Sequence, residues 1–340
     1  MPVPTGLVNR NATYGIGIQM TKRLLAMAGL FLVGIVPTLA QDFPNRPLHI
    51  VVPWPPSGNV DITARTVAPA LGDALGQQVV VDNRPGAGGT IGSGQVAKAS
   101  PDGYTLLLGS SGTISSAPAV FKTIPYDPLK DFIAVGAIQY VPMVLTAAPK
   151  TPAASYAELL AYVKAKNAPV SVASAGSGSS NHLAIELLIR QAKLPLLHVP
   201  YKGSGPAITD LLGSQVETMM DQLTASIEHI RNGRLKALAV TSLTRSPLLP
   251  NVPTFDELGV KGYEAGTYTG IFAPSATPPA VLAKLHAALR KALANEGVKE
   301  RYRAMGADVW EMSQPAFDAY VRVDVEKWRK VAREANIVVE

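Results

Sequence analysis

The 340-residue chain contains no cysteine. This absence excludes disulfide bonds, thiolate metal ligands and a cysteine nucleophile. Charged residues make up only 16% of the chain, and they form no long block of one sign. The sequence therefore gives little support to nucleic-acid binding, which typically requires a basic patch or stripe. Export is compatible with the lack of cysteine, because a chain of this length buries a large core without covalent cross-links.

Long apolar runs are also scarce, and the one near the start of the chain has a specific context. The basic pair Lys22-Arg23 precedes an apolar run over residues 24–36, and residues 37–40 end this segment with an alanine. The run is too short for a membrane span, which needs roughly 20 apolar residues. A basic start, a short apolar run and a small terminal residue are typical of a secretory signal peptide. The alternative interpretation is a buried core helix.

We therefore predict that residues 1–40 consist of an upstream extension and a signal peptide. Translation would start at Met20, and the mature chain would begin near Gln41. Residues 1–40 contain three basic and no acidic residues, so their removal lowers the net charge from +6 to +3. We expect the mature protein in the periplasm, as a monomer, without insertion in a membrane and without a nucleic-acid partner.

In the rest of the chain, short apolar strands alternate with longer amphipathic helices. Residues 48–53 are typical of a buried strand, and residues 60–75 have apolar positions at helical spacing up to Gly76. Pro69 lies inside this segment and predicts a kink or two helical pieces. Alternation of this kind favours an α/β fold with a largely parallel sheet.

Two apolar stretches, residues 133–147 and 267–273, indicate that the chain crosses twice between two lobes. We predict that residues 41–143 and 266–340 form lobe 1 and that residues 144–265 form lobe 2. Two α/β lobes leave a ligand cleft between them, where the carboxyl ends of the strands meet.

Helix signals continue toward the end of the chain. Thr254 and Glu257 have the spacing of a capping box, which predicts a short helix that ends at Gly259. Longer helices are expected over about residues 279–294 and 315–335.

The loop after the first strand offers a candidate anion site. The backbone N–H groups of Ser57, Gly58, Asn59 and Val60 lie at a helix start, and Asp61 opens the helix. Unpaired amides and the helix dipole favour an anion at such a place, so a carboxylate could bind there without Arg or Lys. The alternative is a capped turn, in which Asn59 or Asp61 serves only its own helix.

A second loop is rich in glycine and superficially resembles a dinucleotide-binding fingerprint. Gly86, Gly88 and Gly92 supply the glycines, but no acidic residue lies between Asp102 and Asp127 to bind a ribose. A glycine-rich turn that supports close packing is the preferred interpretation, and no cofactor is expected.

A third loop, after a strand that ends near residue 173, contains Ala175, Gly176 and Ser179. Its hydroxyl and amide groups lie at another helix start, and it lacks the lysine of a phosphate-binding loop. It would contact the other end of a ligand, or it is a flexible polar turn. A similar polar segment of lobe 1 contains Ser111 and Thr113.

Catalytic patterns are weak. No Gly-x-Ser-x-Gly elbow is present. The histidines are scattered without a helical pair or metal-ligand spacing: His49, His182, His198, His229 and His286. Asp221 follows a predicted strand and faces the predicted cleft, where it binds a ligand hydroxyl, an amine or a water, or caps the next helix. A bare carboxylate facing it would be repelled. We expect neither an enzyme nor a metal site.

Taken in order, several segments resemble the Bug family, the substrate-binding receptors of tripartite tricarboxylate transporters, over about residues 42–338. These segments are residues 43–47, 53–61, 83–89, 101–106, 125–128, 198–207, 237–241 and 250–254. The resemblance implies a periplasmic binding protein type II-like fold that closes on its ligand. It also implies a small carboxylate ligand (a di- or tricarboxylate or an aromatic carboxylate) and the membrane subunits of a transporter as partners.

In this family, backbone amides of the first loop bind one ligand carboxylate, often with ordered waters. The matching positions are residues 57–60, and residues 174–180 and Asp221 match positions of the second lobe. Two residues depart from the family pattern: Ser57 replaces a usual glycine, and Trp54 replaces a common phenylalanine. Trp54 adds a flat surface that suits an aromatic ligand or only packs.

Two other functions stay open at this point. One is a co-receptor that presents its ligand to a membrane sensor. The other is a dinucleotide-dependent or hydrolytic α/β enzyme that uses the glycine-rich loop.

Overall fold

The computed structural model describes residues 1–4, 6, 43–334 and 336–339. The chain divides into two units, Met1–Asp42 and Phe43–Glu340. In the first unit, the described residues have no regular secondary structure. The predicted signal peptide, the start at Met20 and the mature terminus near Gln41 lie outside the described residues.

The second unit contains one mixed β-sheet with ten strands among its described residues. They are β1 (Leu48–Val52), β2 (Val79–Asn83), β3 (Thr105–Ser110), β4 (Phe132–Ala147), β5 (Val170–Ser174), β6 (Leu196–Pro200), β7 (Thr218–Gln222), β8 (Lys236–Val240), β9 (Gly266–Pro274) and β10 (Asp308–Val309). β1 pairs in parallel with β2 and β3, and β5 pairs in parallel with β6 and β7. β1 is apolar at four of five positions, as expected of a strand buried on both faces.

The long strand β4 changes partners along its length. Residues 132–142 pair with β9, whereas residues 143–147 pair with β7 on one side and β8 on the other. Pro142, which cannot donate a backbone hydrogen bond, is the last residue before this exchange. The lobe boundaries at residues 143/144 and 265/266 stay a prediction.

Ten α-helices flank the described strands: α1 (Asn59–Leu75), α2 (Thr90–Ala97), α3 (Ala117–Val120), α4 (Tyr156–Lys166), α5 (Ser180–Ala192), α6 (Ser204–Leu212), α7 (Leu223–Arg231), α8 (Pro279–Leu293), α9 (Glu296–Ala304) and α10 (Gln314–Glu334). A π-helical segment, Ser111–Ser116, precedes α3. Gly76 ends α1 in the left-handed conformation at φ 69°, and its amide donates to the carbonyl of Gly72. Within the described part of the chain, no helix combines the length and hydropathy that crossing a membrane requires.

Three details differ from the expectations drawn from sequence. α1 runs through Pro69 as a single helix, because its packing on α8 and the sheet outweighs the one backbone bond that proline removes. Thr254 and Glu257 form both hydrogen bonds of a capping box, but they close a turn rather than start a helix. The left-handed Gly259 leaves too few residues for a helix there. The helix α9 was not predicted.

The last helix, α10, joins two hydrophobic clusters. Phe317, Val321 and Val325 pack in a cluster with β3, β4 and β9. Trp328 and Ala332, further along the same helix, pack in a second cluster with β5, α4 and α5. The helix therefore contributes to the core on both sides of the partner exchange in β4.

Candidate functional site

A cavity of about 30 Å³ lies where the ends of several strands meet the starts of helices. None of the described side chains that line it carries a charge. The lining residues are Trp54, Pro55, Gly58, Asn59, Val60, Ser110, Ala175, Ser180, Asn181, Gly203, Ser204, Gln222 and Thr267.

Four helix N-termini converge on this cavity, those of α1, α5, α6 and α7. Gly58, Gly203 and Gln222 are the N-cap residues of α1, α6 and α7, and none of them makes a side-chain capping bond. The first amides of each helix have no partner within the helix, and each helix end carries roughly half a positive charge. The cavity is therefore suited to an anion although its lining, within the part of the chain that the structure describes, contains no Lys or Arg.

The loop before α1 is held in place by Asp61. Its carboxylate accepts the amide of Ser57 at 3.0 Å and also hydrogen bonds from Arg65 and Asn83. Burial raises the pKa of Asp61, but these hydrogen bonds outweigh it and bring the pKa below its usual value. Ser57 is exposed, and its φ of 69° lies in the left-handed region that favours glycine. Neither Ser57 nor Asp61 lines the cavity, whereas Gly58, Asn59 and Val60 do.

Trp54 lies in the cavity wall, and two glycines make room for its ring. A Cβ atom on Gly112 would lie 3.0 Å from Trp54 Cζ2, and one on Gly89 would lie 3.3 Å from Trp54 Cε2. Gly89 also has a φ of 89°, which other residues rarely adopt. Part of the glycine-rich loop therefore serves close packing against the indole.

A buried network holds the polar residues on the other side of the cavity. Asp221 accepts from Ser204 Oγ at 2.8 Å and from Asn181 Nδ2 at 3.2 Å. Gln222 Nε2 donates to Thr267 Oγ1 at 3.0 Å and to Asn181 Oδ1 at 3.1 Å. Asp221 is fully buried and does not line the cavity, so it positions Asn181 and Ser204 rather than facing the cavity itself.

Asp221 is expected to make stability depend on pH. Burial raises the pKa of Asp221 to about 6, although hydrogen bonds from Ser204 and Asn181 oppose the shift. In the unfolded chain an aspartate titrates near 3.9, so the folded protein holds the proton more tightly and loses stability as pH rises from about 4 to 6. Asp221→Asn lacks this titration. Between pH 4 and pH 7, wild type should lose roughly 2 kcal/mol of unfolding free energy relative to the variant.

Urea titrations of both proteins at pH 4, 5, 6 and 7 measure this difference. Other buried groups, including Asp324, are common to both proteins and cancel in the comparison. Parallel pH profiles for the two proteins would show that the pKa of Asp221 is the same in the folded and the unfolded chain.

In the polar segment that follows β3, the hydroxyls of Ser111 and Thr113 form hydrogen bonds with backbone amides of the protein. Ser111 Oγ accepts the amide of Tyr268, and Thr113 Oγ1 accepts the amide of Ser110. Ser110, which was not predicted, lines the cavity in place of Ser111 and Thr113.

The hydroxyls of the loop before α5 also form hydrogen bonds within the protein, as those of the segment after β3 do. Ser179 Oγ accepts the amide of His182 and donates to the carbonyl of Gly176, and the amide of Gly176 donates to Ser174 Oγ. Of the three predicted residues in this loop, Ala175 lines the cavity, and Gly176 and Ser179 shape the loop behind it.

Sequence reasoning missed seven of the lining residues: Pro55, Ser110, Asn181, Gly203, Ser204, Gln222 and Thr267. Most of them lie where a strand ends or a helix starts. The position of each residue relative to the strand ends would have been a usable signal, because ligands of open α/β sheets bind at the carboxyl ends of strands.

Two of the histidines considered scattered are in fact stacked. The ring centroids of His182 and His198 lie 4.1 Å apart. Ring nitrogens of these two residues and a carboxylate oxygen of Glu186, atoms of the kind that coordinate metal ions, lie within 4.8 Å of one another. His182 Nδ1 accepts the amide of Gly178, and His198 Nε2 hydrogen bonds to Ser174 Oγ. Burial lowers the pKa of His182 to about 4 and, together with His182, that of His198 to about 3. Both rings therefore support the loop before α5 in their neutral form.

The fold is that of periplasmic binding proteins. It is similar to the solved structure of the periplasmic binding protein BugD, with a TM-score of 0.84 and 42% identity over 88% of this chain and 100% of that one. The predicted fold class is confirmed by this similarity.

A family model for the tripartite tricarboxylate transporter family receptor, TctC, matches residues 63–337. The chain belongs to this family of periplasmic solute-binding receptors. BugT of Bordetella pertussis is 39% identical over 92% of this chain and 98% of its own length. The resemblance to the Bug family is thereby confirmed.

Two further similar structures contain ligands. The Rhodopseudomonas palustris protein Rpa4515, solved with adipate, has a TM-score of 0.84 and 34% identity over 87% of this chain and 99% of its own. MatC of the same organism, solved with bound malate, has a TM-score of 0.80 and 36% identity over 85% of this chain and 99% of its own.

Proposed function

We propose that this protein captures a small di- or tricarboxylate, or an aromatic carboxylate, in the periplasm and delivers it to the membrane subunits of a tripartite tricarboxylate transporter. One observation carries the proposal: an uncharged cavity lies at the N-termini of four helices. The amides of Gly58, Asn59 and Val60 contact one carboxylate of the ligand. The malate and adipate bound by the two similar proteins support this class of ligand.

The other predicted site residues support the binding residues. Asp61 and Ser57 fix the loop before α1, and Asp221 orients Asn181 and Ser204. Gly176 and Ser179 shape the loop behind Ala175, as Ser111 and Thr113 do behind Ser110.

Ligand entry requires the cavity to open. Its lining combines residues of both predicted lobes, Asn59 and Asn181 among them, so a ligand held there is enclosed from two sides. We place the hinge at the partner exchange in β4 and at the start of β9, between a lobe of residues 41–143 and 266–340 and a lobe of residues 144–265. Closure of the two lobes then excludes water and brings both walls onto the ligand.

The protein performs no chemistry on its ligand. Among the described residues that line the cavity, none has an ionisable side chain that could act as a general acid or base. Turnover assays with any bound carboxylate are expected to recover it unchanged.

A thermal-shift screen of residues 41–340 tests the binding step. We expect one or more of succinate, malate, adipate, citrate and benzoate to raise the melting temperature. A ligand at 100 times its dissociation constant stabilises the folded protein by about 2.7 kcal/mol. Putrescine and glucose serve as an amine and a neutral control, and a shift with these alone would refute carboxylate binding.

Delivery of the ligand to the transporter is tested separately, by measuring uptake into cells. Uptake of the labelled carboxylate should be lost when the gene for this protein is deleted and should return with the wild-type gene. Uptake that persists without the protein, despite tight binding in solution, would argue for a role outside transport.

A further inference from the structure

Two hydrogen-bond donors in the cavity wall are buried and unused. Trp54 Nε1 and Asn59 Nδ2 have no hydrogen-bond partner among the described residues, and both residues line the cavity. Asn59 is only 3% exposed. Buried polar groups in folded proteins are nearly always paired, so two unpaired donors in one cavity indicate that a ligand or water supplies the acceptor.

The orientation of the Asn59 amide follows from its neighbours. The Thr63 hydroxyl donates its proton to the carbonyl of Asn59 at 2.7 Å, so the Thr63 oxygen is an acceptor for Gln139. The Gln139 atom that meets Thr63 is therefore its amide nitrogen, which also donates to Asn59 Oδ1 at 3.0 Å. Thr224 Oγ1 donates to the same oxygen at 2.6 Å. With both of these bonds on Oδ1, Nδ2 is the atom left over.

The position of the Trp54 side chain is also fixed by its neighbours. Asn83 Nδ2 donates to the Trp54 carbonyl at 3.0 Å, and the glycines at 89 and 112 lie against the edge of the indole that carries its nitrogen. The ring therefore presents its N–H from a packed position rather than from a mobile one.

We infer that Trp54 Nε1 and Asn59 Nδ2 form a donor pair in which each donates a hydrogen bond to an acceptor oxygen of the ligand, separately from the helix amides. This inference rests on the proposed function of the same cavity. Both groups donate and neither accepts, so the matching group is a carboxylate or carbonyl oxygen. A donor-only group such as an ammonium has no partner there.

Nuclear magnetic resonance of the indole N–H groups tests the inference directly. The chain has three tryptophans, and Trp54→Phe assigns the Trp54 signal by its disappearance. We expect the Trp54 signal to move downfield at saturation with a carboxylate of the panel above, because a new hydrogen bond deshields the proton. The signals of Trp310 and Trp328, which do not line the cavity, serve as internal references.

Affinity measurements give a second readout. Trp54→Phe and Asn59→Leu are each expected to weaken binding of the best carboxylate by about tenfold, the range for a hydrogen bond to a charged group. The double variant should bind more weakly than either single variant, because it lacks both donors. Trp310→Phe should leave the affinity unchanged, and urea titrations check that each variant folds.

The outcomes separate this inference from the proposed function. If carboxylates bind but the Trp54 signal stays in place and both variants bind as wild type does, the donor pair is refuted and the proposed function stands. If only the uncharged succinamide or adipamide moves the Trp54 signal, the donor pair stands and the carboxylate function fails. If none of these compounds binds and none moves the signal, both fail.

Discussion

Asn59→Asp is expected to lower the affinity for dicarboxylates by roughly 100- to 1,000-fold. The substitution keeps an oxygen to accept from Gln139 and Thr224, and it replaces the unpaired nitrogen with a second oxygen. The cavity wall then carries a negative charge with no cation in its described lining. Two like charges about 4 Å apart repel by about 4 kcal/mol at the effective dielectric constant of a protein site.

Isothermal titration calorimetry with succinate, malate and adipate measures the loss. Asn251→Asp is the matched control, because it makes the same change on an exposed residue and should bind as wild type does. Retention of wild-type affinity in Asn59→Asp would mean that no ligand carboxylate lies near this side chain.

Trp328→Ala is expected to lower the free energy of unfolding by about 3–5 kcal/mol. Trp328 is 1% exposed and packs in the cluster of α4, α5 and β5. Its removal leaves a large cavity that the surrounding side chains fill only in part.

Val323 lies on the same helix and is 69% exposed, so Val323→Ala should change stability by less than about 0.5 kcal/mol. Urea unfolding followed by circular dichroism compares the two variants with wild type. A loss below about 1 kcal/mol for Trp328→Ala would show that α10 is not an integral part of this cluster.

The elements that sequence predicted well are those fixed by local rules. β1 and the start of α1 follow from an apolar run, a glycine-rich turn and helical spacing. The place of the site follows as well, because the loop between them puts unpaired amides at a strand end. Gly58, Asn59 and Val60 were identified on these grounds and do line the cavity.

Such local rules could not predict which individual side chains face the cavity. Whether Asp61 faces the cavity depends on Asn83, 22 positions later, and the Asn59 amide is oriented by Thr224, 165 positions away. Asp221 seemed to face the cleft because it ends a strand, yet Asn181 and Ser204 cover it. Such hydrogen bonds depend on tertiary packing, which no short-range pattern contains.

Two secondary-structure errors have the same origin. Pro69 does not divide α1, because the helix is held by its packing on α8. The capping box at Thr254 forms, yet Gly259 turns the chain before a helix can follow. In both cases the local signal is real and the surrounding structure decides its result.

The last helix has a consequence for how the protein is made. Because α10 supplies side chains to two clusters, one cluster is complete only after the ribosome has added Val325 and the other only after Ala332. During synthesis the nascent polypeptide should therefore remain incompletely folded and accessible to chaperones. A chain that is exported before it folds would benefit from this delay.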